Sequence, residues 1–397
     1  MHIVRKVTDD ITWIGSDDSK VRTFEDHYPV DGMTYNSYLL KDTEKTVLFD
    51  TCDKSQNKIF LDNLKYALDG RKPDIIVVHH AEPDHSATLE FVMSLYPDAK
   101  IASSAQAKKM IEQFTGVDIS DRHILLKEGT EISTGKHTLK FISAPMVHWP
   151  EVMMTYDSCD KILFSADAFG KFGSRNGKLF DGEVSFDSEL ENHRRYYTNI
   201  VGKYGTQVMS VLKKAGLLDI KLICPLHGYI WRDKISDIIE KYSKWASYEP
   251  EIKGAFIAYS SVYGGTQEAA EYLANKLSEN GVDALIKDVS HTDKSYLISS
   301  SFKYSNIVIA TTTYNCEIFE TMNEFLSCLV SHAVKNRKYS IIENGSWAPA
   351  AGKLIKEKLD GLGGSEYVGN TVTIKSFPSD ENLAELDKLA SDIKSSL

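Results

Sequence analysis

Residues 79–85 read His-His-Ala-Glu-Pro-Asp-His and follow at once on the apolar run Ile75-Ile76-Val77-Val78. A short β-branched run of this kind is a buried strand. Imidazoles and carboxylates at the end of a buried strand are tolerated when they pair with one another or hold a metal ion. A solvated loop would favour Lys, Ser and Gly instead. In an extended segment side chains alternate faces, so His80, Glu82 and Asp84 are expected on one side. His85 then begins a turn into a helix, with Asp84 or Ser86 suited to its N-terminus. One such loop can serve two metal ions held close together, and the fold must bring further ligands to the same place.

Those further ligands stand at the ends of other strand-like segments. His148 follows Ala144-Pro145-Met146-Val147, Asp167 follows Phe164-Ser165-Ala166, and His227 follows Cys224-Pro225-Leu226. Each alone would pass as a buried polar residue satisfied by its neighbours. As an ordered set on rigid strand ends, which can aim side chains at a common point, they read as one site. Segments 11–15, 35–40, 46–50, 139–145, 161–167 and 221–228 make this part of the chain a mixed, strand-rich domain with few helices.

Around Ser247-Tyr248-Glu249-Pro250-Glu251 the pattern changes. Strand segments 254–260, 283–290, 306–312, 339–345 and 372–377 alternate with helical ones, among them Thr266 to about Asn280, Ile318 to about Lys335 and Ala350 to about Leu362. That alternation is the rhythm of a doubly wound parallel sheet. The first strand runs into Ser261-Val262-Tyr263-Gly264-Gly265-Thr266, whose hydroxyls and glycine-freed amides can cradle a phosphate at a helix N-terminus. No Lys follows the glycines, which excludes a Walker loop, and no GxGxxG can be written. The third and fourth strands end in Thr313-Tyr314-Asn315 and Asn344-Gly345-Ser346-Trp347, beside the topological switch point. Tyr314 and Trp347 are placed to stack on a flat ring while loop amides bond its polar edge. In a sheet of the flavodoxin-like kind this crevice takes FMN.

Composition closes off other readings. The chain has 397 residues, 42% hydrophobic and 26% charged, enough for two ordinary cores and too apolar for a disordered chain. The expected division is 1–249 and 250–397. A net charge of −10 argues against a nucleic-acid binder. No apolar stretch approaches a membrane span, and no signal-peptide core follows the N-terminus. Five cysteines without a CxxC pair argue against a disulfide scaffold or rubredoxin site. A cytoplasmic protein is expected.

The order His80-x-Glu82-x-Asp84-His85, then His148, Asp167 and His227, resembles the metallo-β-lactamase superfamily signature, with Glu82 where its hydrolases carry a second His. Four His and three carboxylates form a harder, more anionic set than a His-rich zinc site and favour redox-active iron. A dizinc hydrolase is the remote alternative. Together with His148-Trp149-Pro150-Glu151, segment 162–170 and segment 227–232, the motif resembles the flavodiiron proteins. That resemblance implies an α/β chain: a metallo-β-lactamase-like αββα sandwich followed by a flavodoxin-like doubly wound parallel sheet. It implies two iron ions and one FMN per chain. His80, Glu82, His148 and Asp167 would bind one iron, and Asp84, His85, Asp167 and His227 the other, with Asp167 bridging. Pocket candidates are Tyr197, Glu25 and His27. The implied activity is reduction of dioxygen to water, with nitric oxide reduction to nitrous oxide as the alternative on the same site. The implied assembly is a head-to-tail homodimer or tetramer. Electrons would come from an external donor, rubredoxin or a reduced deazaflavin, because no rubredoxin is appended to the chain.

Overall fold

The structure is a computed structural model that describes residues 2–397. Its packing divides the chain into two compact units. One runs to Tyr197 and resumes over Thr206–Ser243; the other takes Thr198–Gly205 and Lys244–Leu397. Segments 198–205 and 244–249 thus pack with the second unit although they precede the composition change at Pro250.

The first unit is built on two sheets. Seven strands pair in the order Arg5–Lys6, Ile11–Trp13, Tyr38–Lys41, Thr46–Phe49, Ile75–Val77, Lys100–Ser103, His123–Leu125. Five more pair in chain order: Glu131–Ser133, Thr138–Ser143, Met153–Asp157, Ile162–Phe164 and Leu222–Cys224. One apolar cluster joins them, taking Tyr38, Phe49 and Val77 from the first sheet and Phe141, Met153 and Phe164 from the second. Phe49 and Phe164 stack with ring centroids 4.1 Å apart, so the sheets meet face to face. Helix Asn57–Leu68 buries Phe60, Leu64 and Leu68, a spacing of four that puts all three on the face turned to the sheet. The fold is the expected β-lactamase-like sandwich.

The second unit is a parallel sheet ordered Asp283–Asp288, Ile252–Tyr259, Tyr304–Tyr314, Lys338–Asn344, with Glu366–Tyr367 and Val372–Ile374 both on Lys338–Asn344. The first strand lies between the second and third, which makes the switch point of a flavodoxin-like sheet. The third strand runs to Tyr314, beyond the expected 306–312, because Thr313 and Tyr314 pair with a return strand, Glu317–Ile318. Helix Gly265–Glu279 buries Ala269, Ala270, Leu273 and Leu277 against this sheet.

Candidate metal centre and flavin pocket

The seven ligand candidates converge in the first unit as two groups. His80, Glu82, His148 and Asp167 form one, Asp84, His85 and His227 the other. Their side chains are between 0 and 13% exposed. Glu82 Oε2 lies 3.0 Å from His80 Nε2 and 3.1 Å from His148 Nε2. In the second group Asp84 Oδ2 lies 3.3 Å from His85 Nε2 and 3.2 Å from His227 Nε2. Asp167 belongs to both. Its Oδ2 is 3.0 Å from His148 Nε2, and its Oδ1 is 3.1 Å from His85 Nε2.

One expectation is corrected here. Asp84 does not share a side with His80 and Glu82, because the extended backbone ends at Glu82 and Pro83 opens a one-turn helix, Pro83–Ser86. Proline is pre-organised for a first helical position. The N-cap is therefore Glu82, not Asp84 or Ser86. The helical turn swings Asp84 and His85 toward His227. The loops carrying His148 and Asp167 are bent through left-handed backbone at Met146 (φ 63°), Ala166 (φ 50°) and Phe169 (φ 69°). Non-glycine residues in that region concentrate where surrounding structure holds them for function.

Partners beyond the ligands set the rings, and sequence reading missed them. His80 donates its Nδ1–H to the buried Glu151 carboxylate at 2.7 Å, and His227 donates its Nδ1–H to the Thr34 carbonyl at 2.5 Å. Both bonds leave Nε2 aimed into the cluster. His79 stands apart, held between Asp50 (2.5 Å) and Thr155 (2.6 Å). Against the penalty of burial, neighbouring carboxylates raise His85 and His148 to about 9, while neighbouring imidazoles hold the buried Asp167 well below its ordinary value.

The residues fit a pair of cations. Both carboxylate oxygens of Asp84, Asp167 Oδ1, His227 Nε2 and both ring nitrogens of His85 are buried without a hydrogen bond. Buried polar atoms left so are costly unless something binds them. A bridging carboxylate between two imidazole–carboxylate groups suits two close divalent ions.

Of the pocket candidates, Tyr197 packs its ring on Tyr242 at 4.9 Å. The helix Phe186–Tyr196 widens into a π-turn, Tyr197–Val201, so it is Tyr196 that faces His227, at 5.6 Å between centroids. The Tyr196 hydroxyl is buried and unbonded, and burial, then Asp167, push the phenol well above its ordinary value. His27 is exposed and packs on Tyr28. Glu25, at the tip of a hairpin with φ 52°, has an exposed surface yet feels the cluster: burial, then repulsion from Glu82, raises it to about 7.

In the second unit a cavity of about 430 Å³ opens at the strand ends. Every expected flavin contact lines it except Gly264, which turns the loop at φ 97° and donates its N–H to Ser261 Oγ. Trp347 and Tyr263 stand beside it 90% and 89% exposed. Thr312, Cys316 and Ala348 of the same strand-end segments line it too, and Ser376 and Phe377 were not anticipated. Ser376 closes the floor: its carbonyl accepts from Asn344 Nδ2, and a Cβ on Gly265 would lie 1.8 Å from it. Close backbone approach of this kind needs glycine. A phosphate-sized loop at a helix N-terminus, with bare aromatic faces above it, fits a flavin mononucleotide.

Two family models cover the chain, an ODP family beta lactamase over residues 33–228 and a flavodoxin over 257–387. A nitric oxide reductase of Moorella thermoacetica is 32% identical over 361 residues, 89% of this chain and 88% of that protein. The rubredoxin oxygen:oxidoreductase of Desulfovibrio gigas superposes with a TM-score of 0.93 at 26% identity, covering 99% of this chain and 98% of that one. A flavo di-iron protein variant from Thermotoga maritima superposes at 0.90 with 25% identity over the whole of both chains. With the two-group cluster in one unit and the flavin crevice in the other, the chain belongs to the flavodiiron protein family of oxidoreductases.

Proposed function

We propose that the protein reduces dioxygen to water at a diiron centre held by residues of segment 1–249, with electrons relayed through FMN held by segment 250–397. The carrying observation is Asp167, which turns one carboxylate oxygen to each ligand group. His80, Glu82 and His148 would hold one iron with it, and Asp84, His85 and His227 the other. When bound, the iron pair would supply two electrons and the reduced flavin two more, the four that dioxygen needs. The chain's own part is to position and to shield. Glu151 and Thr34 orient two of the imidazoles, and Phe24 and Tyr196 wall the cluster beside His227 at 5.5 and 5.6 Å. Glu25, an exposed carboxyl that feels the charges of Glu82, Asp84 and Asp167, is suited to pass protons inward from solvent. Around the crevice, Tyr314 and Trp347 would flank the flavin ring while Ser261 and Thr266 bond its phosphate.

Nitric oxide reduction is the second reading, favoured by the 32% identity to the Moorella protein. The test reduces the protein without air, mixes it with each gas under one electron donor, and counts iron and flavin on the same sample. A nitric oxide rate roughly tenfold above that with dioxygen, a barrier difference of about 1.4 kcal/mol, would reverse the assignment. A rubredoxin-type or deazaflavin donor is expected, since the chain carries no dinucleotide fingerprint. Direct NADH oxidation at the rate of gas reduction would oppose that. A head-to-tail homodimer serves both cofactors with one two-fold contact; full turnover by a monomer at high dilution would exclude it. Among the described residues no helix is long and apolar enough to cross a membrane, in keeping with a cytoplasmic location.

A further inference from the structure

A third group of ligand side chains shares no residue with the two sites above. His137 precedes strand Thr138–Ser143, and Cys159 and Asp160 occupy the turn after strand Met153–Asp157. One ligand atom from each lies within 4.8 Å of the others. A single buried carboxylate organises them. Asp157 accepts from the backbone N–H of Cys159 at 3.1 Å and of Asp160 at 3.2 Å, and from His137 Nδ1 at 2.9 Å. His137 is wholly buried, and its Nε2 faces Asp10 Oδ2 at 3.2 Å. Asp157 therefore does for this imidazole what Glu151 does for His80: it holds Nδ1 as the donor and leaves Nε2 on the side of the Asp10 carboxylate.

We propose that His137, Cys159 and Asp160 bind one zinc ion, with solvent as its fourth ligand, at a site separate from the diiron centre. The donor set selects the metal. A thiolate, an imidazole and a carboxylate are the mixed, borderline-soft ligands of tetrahedral zinc. Magnesium and calcium take oxygen ligands and would leave the sulfur and nitrogen unused. Zn–S and Zn–N bonds form as the thiol proton and the second proton of the His137 imidazolium leave to solvent. Lys136, whose ammonium sits 2.7 Å from Asp10, is 54% exposed and can swing into water as the cation enters. The ion would tie together two chain segments, the turn before Thr138–Ser143 and the turn after Met153–Asp157.

The test titrates the iron- and flavin-loaded protein with zinc chloride, dialyses it and counts all metals. In parallel, alkylation of Cys159 is followed peptide by peptide with and without zinc. The expected result is about one zinc beyond the iron complement, bound at least tenfold more weakly by Cys159→Ser and by Asp160→Asn, with iron unchanged. Zinc should also slow alkylation of Cys159. Equal zinc binding by wild type and both variants overturns the proposal, as does zinc gained only as iron is lost, or labelling of Cys159 at one rate throughout. Cys159 and Asp160 are both partly exposed, so two independent folded variants are available. A melting curve confirms each.

Discussion

The two halves place their sites alike and build them differently. Both sites lie where strands end in loops, yet one is buried and the other open. The metal cluster is made of side chains no more than 13% exposed, with buried oxygens and nitrogens that only a bound partner would satisfy. The flavin crevice is made of loop backbone and aromatics, two of them about nine-tenths exposed. Small multivalent cations need converging charged ligands in a low-dielectric setting, and the fold must hold those ligands in place. A large planar cofactor brings its own apolar surface and needs a slot with a few placed polar groups. Damage should therefore spread through the first site and stay local in the second.

The largest expected effect is at the shared ligand. Asp167→Ala removes an oxygen from each group, so iron should fall from about two per chain to near none, with activity lost and FMN retained. Full iron in that variant, by metal analysis, would break the contrast. Glu151→Gln keeps every ligand but weakens the bond that orients His80; iron affinity should fall ~10–100-fold without loss of flavin. On the other side, Gly265→Ala drives a Cβ into the Ser376 carbonyl. Overpacking costs about 1–3 kcal/mol, so FMN affinity by fluorescence titration should fall roughly tenfold, with iron untouched. Trp347→Ala, at a 90% exposed position, should leave the melting temperature alone and weaken FMN by about 0.5–1.5 kcal/mol of stacking.

The smallest effect concerns acid. His193 is buried in the metal-binding half, donates to the Gly170 carbonyl at 3.0 Å, and is lowered to about 3 by burial and then by Lys171. Its unfolded value is ~6.5, so below that pH the unfolded chain binds a proton the folded chain refuses. The stability tied to its neutral form is complete above about 6.5 and is lost as pH falls toward about 3. Denaturant unfolding across this window should show a slope that His193→Gln reduces. An unchanged slope would remove His193 as the source.

What could be read from the residues, and what could not, follows the range of the interactions. The metal motif was legible because ligand identity is a local property: four imidazoles and three carboxylates at strand ends are costly to bury together unless cations hold them. The phosphate loop was legible for a similar reason, through its glycines and hydroxyls. Helical phase was not. A proline-started turn took Asp84 off the side that strand alternation gave it, and the helix that ends in a π-turn brought Tyr196, beside Tyr197, to His227. Neither Glu151 nor Thr34 carries a sequence signal, since a carboxylate in a loop and a backbone carbonyl become ring-orienting partners only when the sheets close on them. Ser376 and Phe377 joined the crevice because the strand Val372–Ile374 pairs with Lys338–Asn344, a contact set by the sheet's order.

By itself, then, the sequence determined the chemistry available to each half: its donor atoms, its phosphate loop, its alternation of strands and helices. These depend on residue type and short spacing, which the chain carries before it folds. Only the tertiary structure decided which nitrogen of each ring faces inward and which tyrosine walls the site. Those outcomes depend on close side-chain packing and on the turn-by-turn phase of elements distant in sequence. That phase is set when two sheets pack face to face and exclude water between them.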